Sequence, residues 1–223
     1  MIIACNGSTL DMIGATMSDF YLFLTNRRHR NSVLAELSTE FVRKSIHLLV
    51  ALVPALAAWN RPFTMFLLSA GTVFYAYSEY MRMLGYRIPV VSAITALAAR
   101  KRDAGHFVLG PVTLGIGALL ALALYPNPAA SIAIYALAFG DGLSSLVGRI
   151  FGSIRLPLTG GKSLEGSLTC FFAVLTASYS VTVDLPRSAI VALVATVTEA
   201  LPSKDFDNIL LPMAAGLAAV LLF

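Results

Sequence analysis

The chain has little charge, little cysteine and a single tryptophan. Charged residues make up 13% of its 223 positions, against 57% hydrophobic, and the mean hydropathy is +0.79. A soluble domain carries roughly a quarter of its residues as Asp, Glu, Lys and Arg, so an ordinary water-soluble globule is excluded and a polytopic membrane protein is indicated. The two cysteines, Cys5 and Cys170, lie far apart, which excludes a disulfide framework and a Cys-rich metal site. The first residues lack the basic flank and small-residue cleavage site of a secretory signal, and Asn6-Gly7-Ser8 matters as a sequon only in a glycosylating host. The net charge of +4 rests on sixteen basic residues scattered between apolar segments. That scatter suits orientation in a membrane and argues against nucleic-acid binding.

What is present is apolar sequence in runs near the length that spans about 30 Å of hydrocarbon. Seven such runs occupy 42–60, 62–81, 106–125, 129–148, 167–183, 187–202 and 209–223. A weaker eighth, 10–25, contains Asp11 and Asp19 and suits either a crossing or an amphipathic interfacial helix. The twelve residues 88–99 are too few to cross and predict an interfacial helix within a loop. Pro126-Asn127-Pro128 predicts a tight turn between two crossings. The expectation is an all-α integral membrane protein of seven or eight transmembrane helices, with an N-terminal segment 1–35 and a transmembrane domain 36–223. If 27–44 is cytoplasmic and each run crosses once, fourteen of the sixteen basic residues face that side, and Arg61 and Arg187 face the other. The positive-inside rule predicts such an asymmetry.

The polar clusters fall on that same side. Glu40, Arg43, Lys44 and His47 are spaced i, i+3, i+4, i+7 and share one helical face. Basic residues there would serve as topology anchors, but a histidine one turn deeper does not help anchoring. Glu79 and Arg82 form an i, i+3 pair that suits a snorkelling ion pair, and Asp103 is placed to cap the helix that follows. In the stretch FGDGLSSLVGRIFG, Asp141, Ser144, Ser145, Gly148, Arg149 and Gly152 form one small or polar stripe. Close helix packing explains its small residues. It does not explain an intramembrane aspartate, which costs roughly 2.5–3.5 kcal/mol on insertion scales and marks a functional site. Gly160-Gly161-Lys162-Ser163-Leu164-Glu165-Gly166 opens the next crossing with backbone N–H groups and a lysine suited to phosphate. It is not a Walker A loop, because Leu156 stands where that motif needs glycine. Glu199, Asp205, Asp207 and Asn208 flank the last loop. Carboxylates suited to a divalent cation and bases suited to phosphates thus converge beside apolar helices, a combination that fits phosphoryl transfer.

The ordered set E-x-x-R-K-x-x-H at 40–47, F-G-D-G-L-S-S-L-V-G-R-x-F-G at 139–152, G-K-S-L-E-G-S at 161–167 and E-A-L-P with D-N-x-x-L-P at 199–212 resembles the CTP-dependent lipid-alcohol kinases: dolichol, phytol and farnesol kinases and the CTP-dependent diacylglycerol kinase. The resemblance implies a multi-pass enzyme that transfers the γ-phosphate of CTP, with Mg²⁺, to the hydroxyl of a membrane lipid, its active site on the cytoplasmic side. It implies Asp141, Lys162, Glu199 and Asp207 as catalytic residues. It implies Arg43, Lys44, His47, Gly140, Ser145, Arg149, Gly161, Lys162, Ser163, Glu165 and Asn208 around the nucleotide, with Asp141, Glu165 and Asp207 as metal ligands. Asp207 or Glu199 would be a second ligand or the base. A phosphatidate cytidylyltransferase is the nearest alternative, although its H-G-G-x-x-D-R-x-D signature is missing; a transporter or ion pathway is the alternative from another class.

Overall fold

The computed structural model describes residues 27–223 except 87, 100–102, 104, 158, 204 and 205. The segment 10–25 and Asp205 therefore lie outside the described residues. The chain divides into compact units Met1–Thr39 and Glu40–Phe223. Of the first, the described part is helical and begins α1 (Arg27–Leu49).

The second unit is a helical bundle. After a 3₁₀ turn at Val50–Leu52 come α2 (Val53–Met83), α3 (Pro89–Ala98), α4 (Gly110–Leu124), α5 (Ala129–Ile150), α6 (Leu164–Thr182), α7 (Leu185–Ala200) and α8 (Asp207–Leu222). No strand occurs among the described residues, only the isolated bridge between Arg155 and Ser163. The helical stretch Leu37–Met83 has 47 residues, about 70 Å at 1.5 Å per residue, more than twice a bilayer's hydrocarbon. It is divided at Asn60, whose φ of −154° and ψ of 99° are extended. The Asn60 side chain accepts from Phe63 N at 3.0 Å, and Pro62 follows in the first turn, so a new helix is capped and started there.

Three stretches are long and apolar enough to cross a membrane: Leu37–Met83, Ala129–Ile150 and Leu164–Thr182; α4 and α8 are shorter apolar helices. The helices overlap the apolar runs of the sequence, with run 42–60 shared between α1, the 3₁₀ turn and the start of α2, and α3 falls on the short helix expected at 88–99. Trp59, Phe66, Val73, Phe74, Phe172, Leu193 and Val197 are all exposed on outer faces. Such apolar surface suits lipid and not water, and the chain is a membrane protein.

The central helix is α5, most of whose apolar window is buried. Against it pack Cys170 and Val174 of α6, Val191, Ala192 and Ala195 of α7, and Leu211, Ala215 and Ala219 of α8. Alanine at these contacts lets the helices approach closely. On the other side, α4 and α2 meet α5 through Ala121, Leu122, Ala130, Ala133, Ile134 and Leu68. The loop ends sort cleanly. Arg61 donates to the carbonyls of Leu122 and Tyr125, the Tyr125 ring lies on Gly216, and the Arg187 guanidinium lies 5.9 Å over Phe223. That end holds Asn60, the 125–128 turn and the 183–187 turn. Asn208 instead reaches Gly110 and Thr113, so the polar clusters gather at the opposite end.

Candidate active site

The site is built where α5 changes pitch. Ala136–Asp141 is a π-helical turn, and Gly142–Ile150 resumes the α-helix. One-turn π segments inside α-helices recur at functional sites. Here the turn delivers Asp141, 2% exposed, to the inner face of α1. Lys44, fully buried, donates to Asp141 Oδ2. His47 Nε2 lies 3.1 Å from the same oxygen and 2.9 Å from Asn208 Oδ1. The Asn208 amide nitrogen donates to Gly110 O at 3.2 Å and Thr113 Oγ1 at 2.9 Å, which fixes its oxygen toward His47. Ser145 Oγ lies 3.4 Å from Asp141 Oδ1. Four helices thereby close one buried network, whose ions are tolerable inside a membrane because each has polar partners.

Around this floor stands a more open rim. Arg43 pairs with Glu40 at 2.5 Å, and Arg149 Nε stands 3.7 Å from the other oxygen of Glu40. Lys162 donates to Glu199 Oε1 at 2.8 Å and to the Glu199 carbonyl. Ser144 Oγ joins the two halves, 3.4 Å from Glu199 Oε1 and from the Asp141 carbonyl. Asp207, in the first turn of α8, adjoins Asn208, whose backbone N donates to Asp207 Oδ1 at 3.0 Å. Of the four buried side-chain polar atoms without a partner among the described residues, two belong to this site, Arg43 Nε and Glu199 Oε2.

Arg43, Lys44, His47, Asp141, Ser145, Arg149, Lys162, Glu199, Asp207 and Asn208 are thus brought together. For Gly140, Gly161, Ser163 and Glu165 the structure shows local structural roles beside that network. A Cβ on Gly140 would stand 3.0 Å from Val174 and 3.3 Å from Cys170, so this glycine faces the apolar core. Gly160 and Gly161 take φ of +70° and +97°, turning the loop back on itself. Ser163 caps α6 by accepting from Gly166 N at 3.1 Å. Glu165 accepts from Ser153 N at 2.8 Å and Ile154 N at 3.2 Å, stapling the 151–163 loop. Among the described residues no group of three or more His, Cys, Asp or Glu is arranged to hold a metal ion.

Two neighbouring expectations also change. Asp103 does not cap α4: the helix starts after Leu109 without a side-chain cap, and Asp103 O instead accepts from His106 N at 3.0 Å. Glu79 is more than a snorkelling partner. It is buried, binds Arg82 at 2.7 and 2.8 Å and accepts from Val108 N at 2.9 Å, while Arg82 donates to His106 O at 2.9 Å. The pair clamps the entry to α4. Thr113 and Ser144 are members that the sequence did not single out as site residues; only a helical wheel combining separate helices would have found Thr113.

The fold and its charged end define the general class: a helical membrane protein with a buried network of ion pairs at one end of the bundle. Similarity makes the class narrower. The chain is 30% identical over 249 aligned positions to "Probable phytol kinase, chloroplastic" of Triticum aestivum, covering all of this chain and 79% of that protein. It is 31% identical over 157 positions to "Probable phytol kinase 1, chloroplastic" of Oryza sativa subsp. japonica, covering 62% of this chain and half of that protein. "Farnesol kinase, chloroplastic" of Arabidopsis thaliana is 28% identical over 142 positions, covering 56% of this chain and 46% of that protein. The chain belongs to the family of lipid-alcohol kinases that contains the phytol and farnesol kinases. No family model matches it, and no solved structure matches it.

Proposed function

We propose that the protein is a multi-pass kinase with seven crossings in its second unit, which transfers the γ-phosphate of CTP to the hydroxyl of a membrane lipid alcohol at the cytoplasmic end of the bundle. The observation that carries this reading is the convergence of Arg43, Lys44, Arg149 and Lys162 with Glu40, Asp141, Glu199 and Asp207 at one end. A transport path would need polar groups along its length and access from both sides. CTP, in preference to another nucleoside triphosphate, rests on the family resemblance.

In this reading Arg149, Arg43 and Lys162 bind the triphosphate oxygens, exchanging their present carboxylate partners for phosphate. The Lys44–Asp141–His47–Asn208 network is the rigid floor that holds them. The acceptor oxygen attacks the γ-phosphorus, the bond to the β-phosphate oxygen breaks, and the nucleoside diphosphate leaves. Asp207 or Glu199 takes the hydroxyl proton. The residues present fit Mg²⁺ in the form usual for nucleotide sites, one or two carboxylates plus phosphates, and not an all-protein cage. Asp141 already has its oxygens engaged, whereas Glu199 Oε2 is buried without a partner. Glu199 and Asp207 would therefore hold the ion, which supplies charge neutralisation at the phosphates. A triphosphate brings about four negative charges to a rim whose own charges already balance, and such an ion offsets them.

The test is product analysis with detergent-solubilised protein, Mg²⁺ and CTP labelled at the γ-phosphate, given phytol, farnesol, diacylglycerol or phosphatidic acid. Label on a lipid alcohol with release of CDP is expected. Pyrophosphate release with phosphatidic acid would instead identify a cytidylyltransferase, and transfer from ATP but not CTP would overturn the donor.

A further inference from the structure

At the polar end of the bundle a cavity opens between the last turns of α2 and the helix α3. It has a volume of about 680 Å³ and is lined by Arg82, Gly85, Pro89, Ser92, Ala93 and Ala96. That volume is within the range of about 300–1,000 Å³ usual for small-molecule sites, and none of these residues belongs to the network around Asp141. Arg82 is its charged group, and Ser92 adds a hydroxyl. An arginine carries five N–H donors. Nε and Nη2 of Arg82 are committed, to Glu79 at 2.8 and 2.7 Å and to His106 O at 2.9 Å. Nη1 has no acceptor among the described residues, and the side chain is 29% exposed. The cavity lies at the level of a membrane boundary. Its roof, α3, has ten residues and is too short to cross. Tyr77, Tyr80 and Tyr86 are exposed around the end of α2, the placement usual for aromatic side chains where lipid meets water. Between α2 and α4 the sequence also carries Arg87, Arg100, Lys101 and Arg102, against Asp103 as the one carboxylate.

We propose that this cavity binds the phosphate of an anionic phospholipid headgroup, held by Arg82 Nη1 and Ser92 Oγ, with the glycerol lying along Pro89, Ala93 and Ala96. A phosphate oxygen is the acceptor that a free pair of guanidinium donors suits, and a basic surround at the membrane boundary draws anionic lipid to it. The apolar walls favour a lipid as the source over free phosphate. Binding goes beyond the kinase reading and does not depend on it; its effect on turnover does. That effect follows from what Arg82 holds. Its partner Glu79 accepts from Val108 N at 2.9 Å. Two residues on, the Gly110 carbonyl accepts from the Asn208 amide, whose oxygen stands 2.9 Å from His47 Nε2 in the floor of the site. A headgroup that fixes Arg82 from its free side therefore steadies the entry to α4 and, through Asn208, the floor, so occupancy raises turnover.

The experiment titrates delipidated protein, by native mass spectrometry, with phosphatidylglycerol, phosphatidylcholine, glycerol 3-phosphate and inorganic phosphate. Wild type is expected to hold phosphatidylglycerol about tenfold more tightly than phosphatidylcholine, the scale of one charge-assisted hydrogen bond. Ser92→Asp, which sets a carboxylate where the phosphate would sit, and Ala96→Trp, which fills the cavity, should each remove that preference. Ala177→Trp, in the groove on the outer wall between α5 and α6, should keep it. A phosphatidylglycerol with a diazirine on its headgroup gives a second readout that no variant's folding can disturb, with labels expected on residues 82–96 of wild type. Binding that ignores both cavity variants, or labels spread over the other basic loops, would reduce the effect to diffuse attraction and overturn the site. Glycerol 3-phosphate or inorganic phosphate binding as tightly as the lipid would overturn the lipid as its source. For the coupling, lipid-alcohol phosphorylation in phosphatidylcholine vesicles should rise when phosphatidylglycerol is added to wild type and stay flat for Ser92→Asp. Equal turnover in both vesicles, beside headgroup labels at 82–96, would overturn the coupling. A wild type that binds phosphatidylglycerol yet phosphorylates no lipid alcohol would instead refute the kinase reading itself.

Discussion

Replacing Asp141 by asparagine keeps the shape of the side chain and removes the charge that faces Lys44 and His47. Lys44 is fully buried, so the ammonium left behind has no water to turn to. Breaking a buried pair from one side costs about 3–5 kcal/mol. The reverse change, Lys44→Met, is gentler, because Asp141 keeps His47 Nε2 at 3.1 Å and Ser145 Oγ at 3.4 Å. We therefore expect Asp141→Asn near the upper end of that range and Lys44→Met near or below its lower end. The double variant should cost less than the sum by about 2 kcal/mol or more, because it leaves no ammonium unpaired. The assay is reversible unfolding of detergent-solubilised protein by titration with a denaturing detergent, followed by far-ultraviolet circular dichroism, with turnover measured in parallel. Turnover should be lost in all three variants, including the double. Additive costs, or Lys44→Met costing more than Asp141→Asn, would refute the network as described. A double variant that keeps turnover would reduce the pair to a strut.

Glu199 and Glu165, both site candidates in the sequence, make a matched pair. Glu199→Gln keeps an oxygen for Lys162 but removes the charge at the unpartnered position, and should raise the Mg²⁺ needed for half-maximal activity by about tenfold or more, whereas Glu165→Ala should loosen the 151–163 loop and leave the Mg²⁺ requirement unchanged. For topology, single cysteines at Asn127 and Ser203 in a Cys5→Ser, Cys170→Ser background should be labelled by an impermeant maleimide from opposite sides of the membrane; labelling of both from one side would refute the crossing count.

Much of the bundle is legible in the sequence because lipid imposes long apolar runs, and the near end is legible because Arg and Lys collect there. Pairings across the bundle are not. Lys44 and Asp141 are far apart in the chain, and nothing local to either says that the other is its partner. The π-helical turn at Ala136–Asp141 is equally silent, since its residues are the same apolar and small ones that an α-helix uses. Within the glycine-rich motif, sequence places Lys162, Ser163 and Glu165 side by side, but folding separates them. Lys162 reaches Glu199 of α7, Ser163 caps α6, and Glu165 is used up on the backbone of Ser153 and Ile154. A cap, a loop staple and a phosphate ligand draw on the same residue types, so only the geometry tells them apart.

The depth of the floor also explains its composition. His47 lies seven residues beyond Glu40, about 10 Å further along the helix axis, where an isolated charge would be expensive. In the proposed reaction a soluble nucleotide would reach the rim and a lipid hydroxyl the same level from within the bilayer, so the two would meet at the boundary between Arg149, 42% exposed in its side chain, and Lys44, with 1%. Electrostatic interactions strengthen as water is withdrawn, and fixed charges there need no reorganisation during transfer. Excluding water at that level also favours the lipid hydroxyl over hydrolysis. In the proposed reaction the same burial that makes the Lys44–Asp141 pair costly to break would make it useful: it would keep charged groups rigid at the level where the acceptor oxygen is presented.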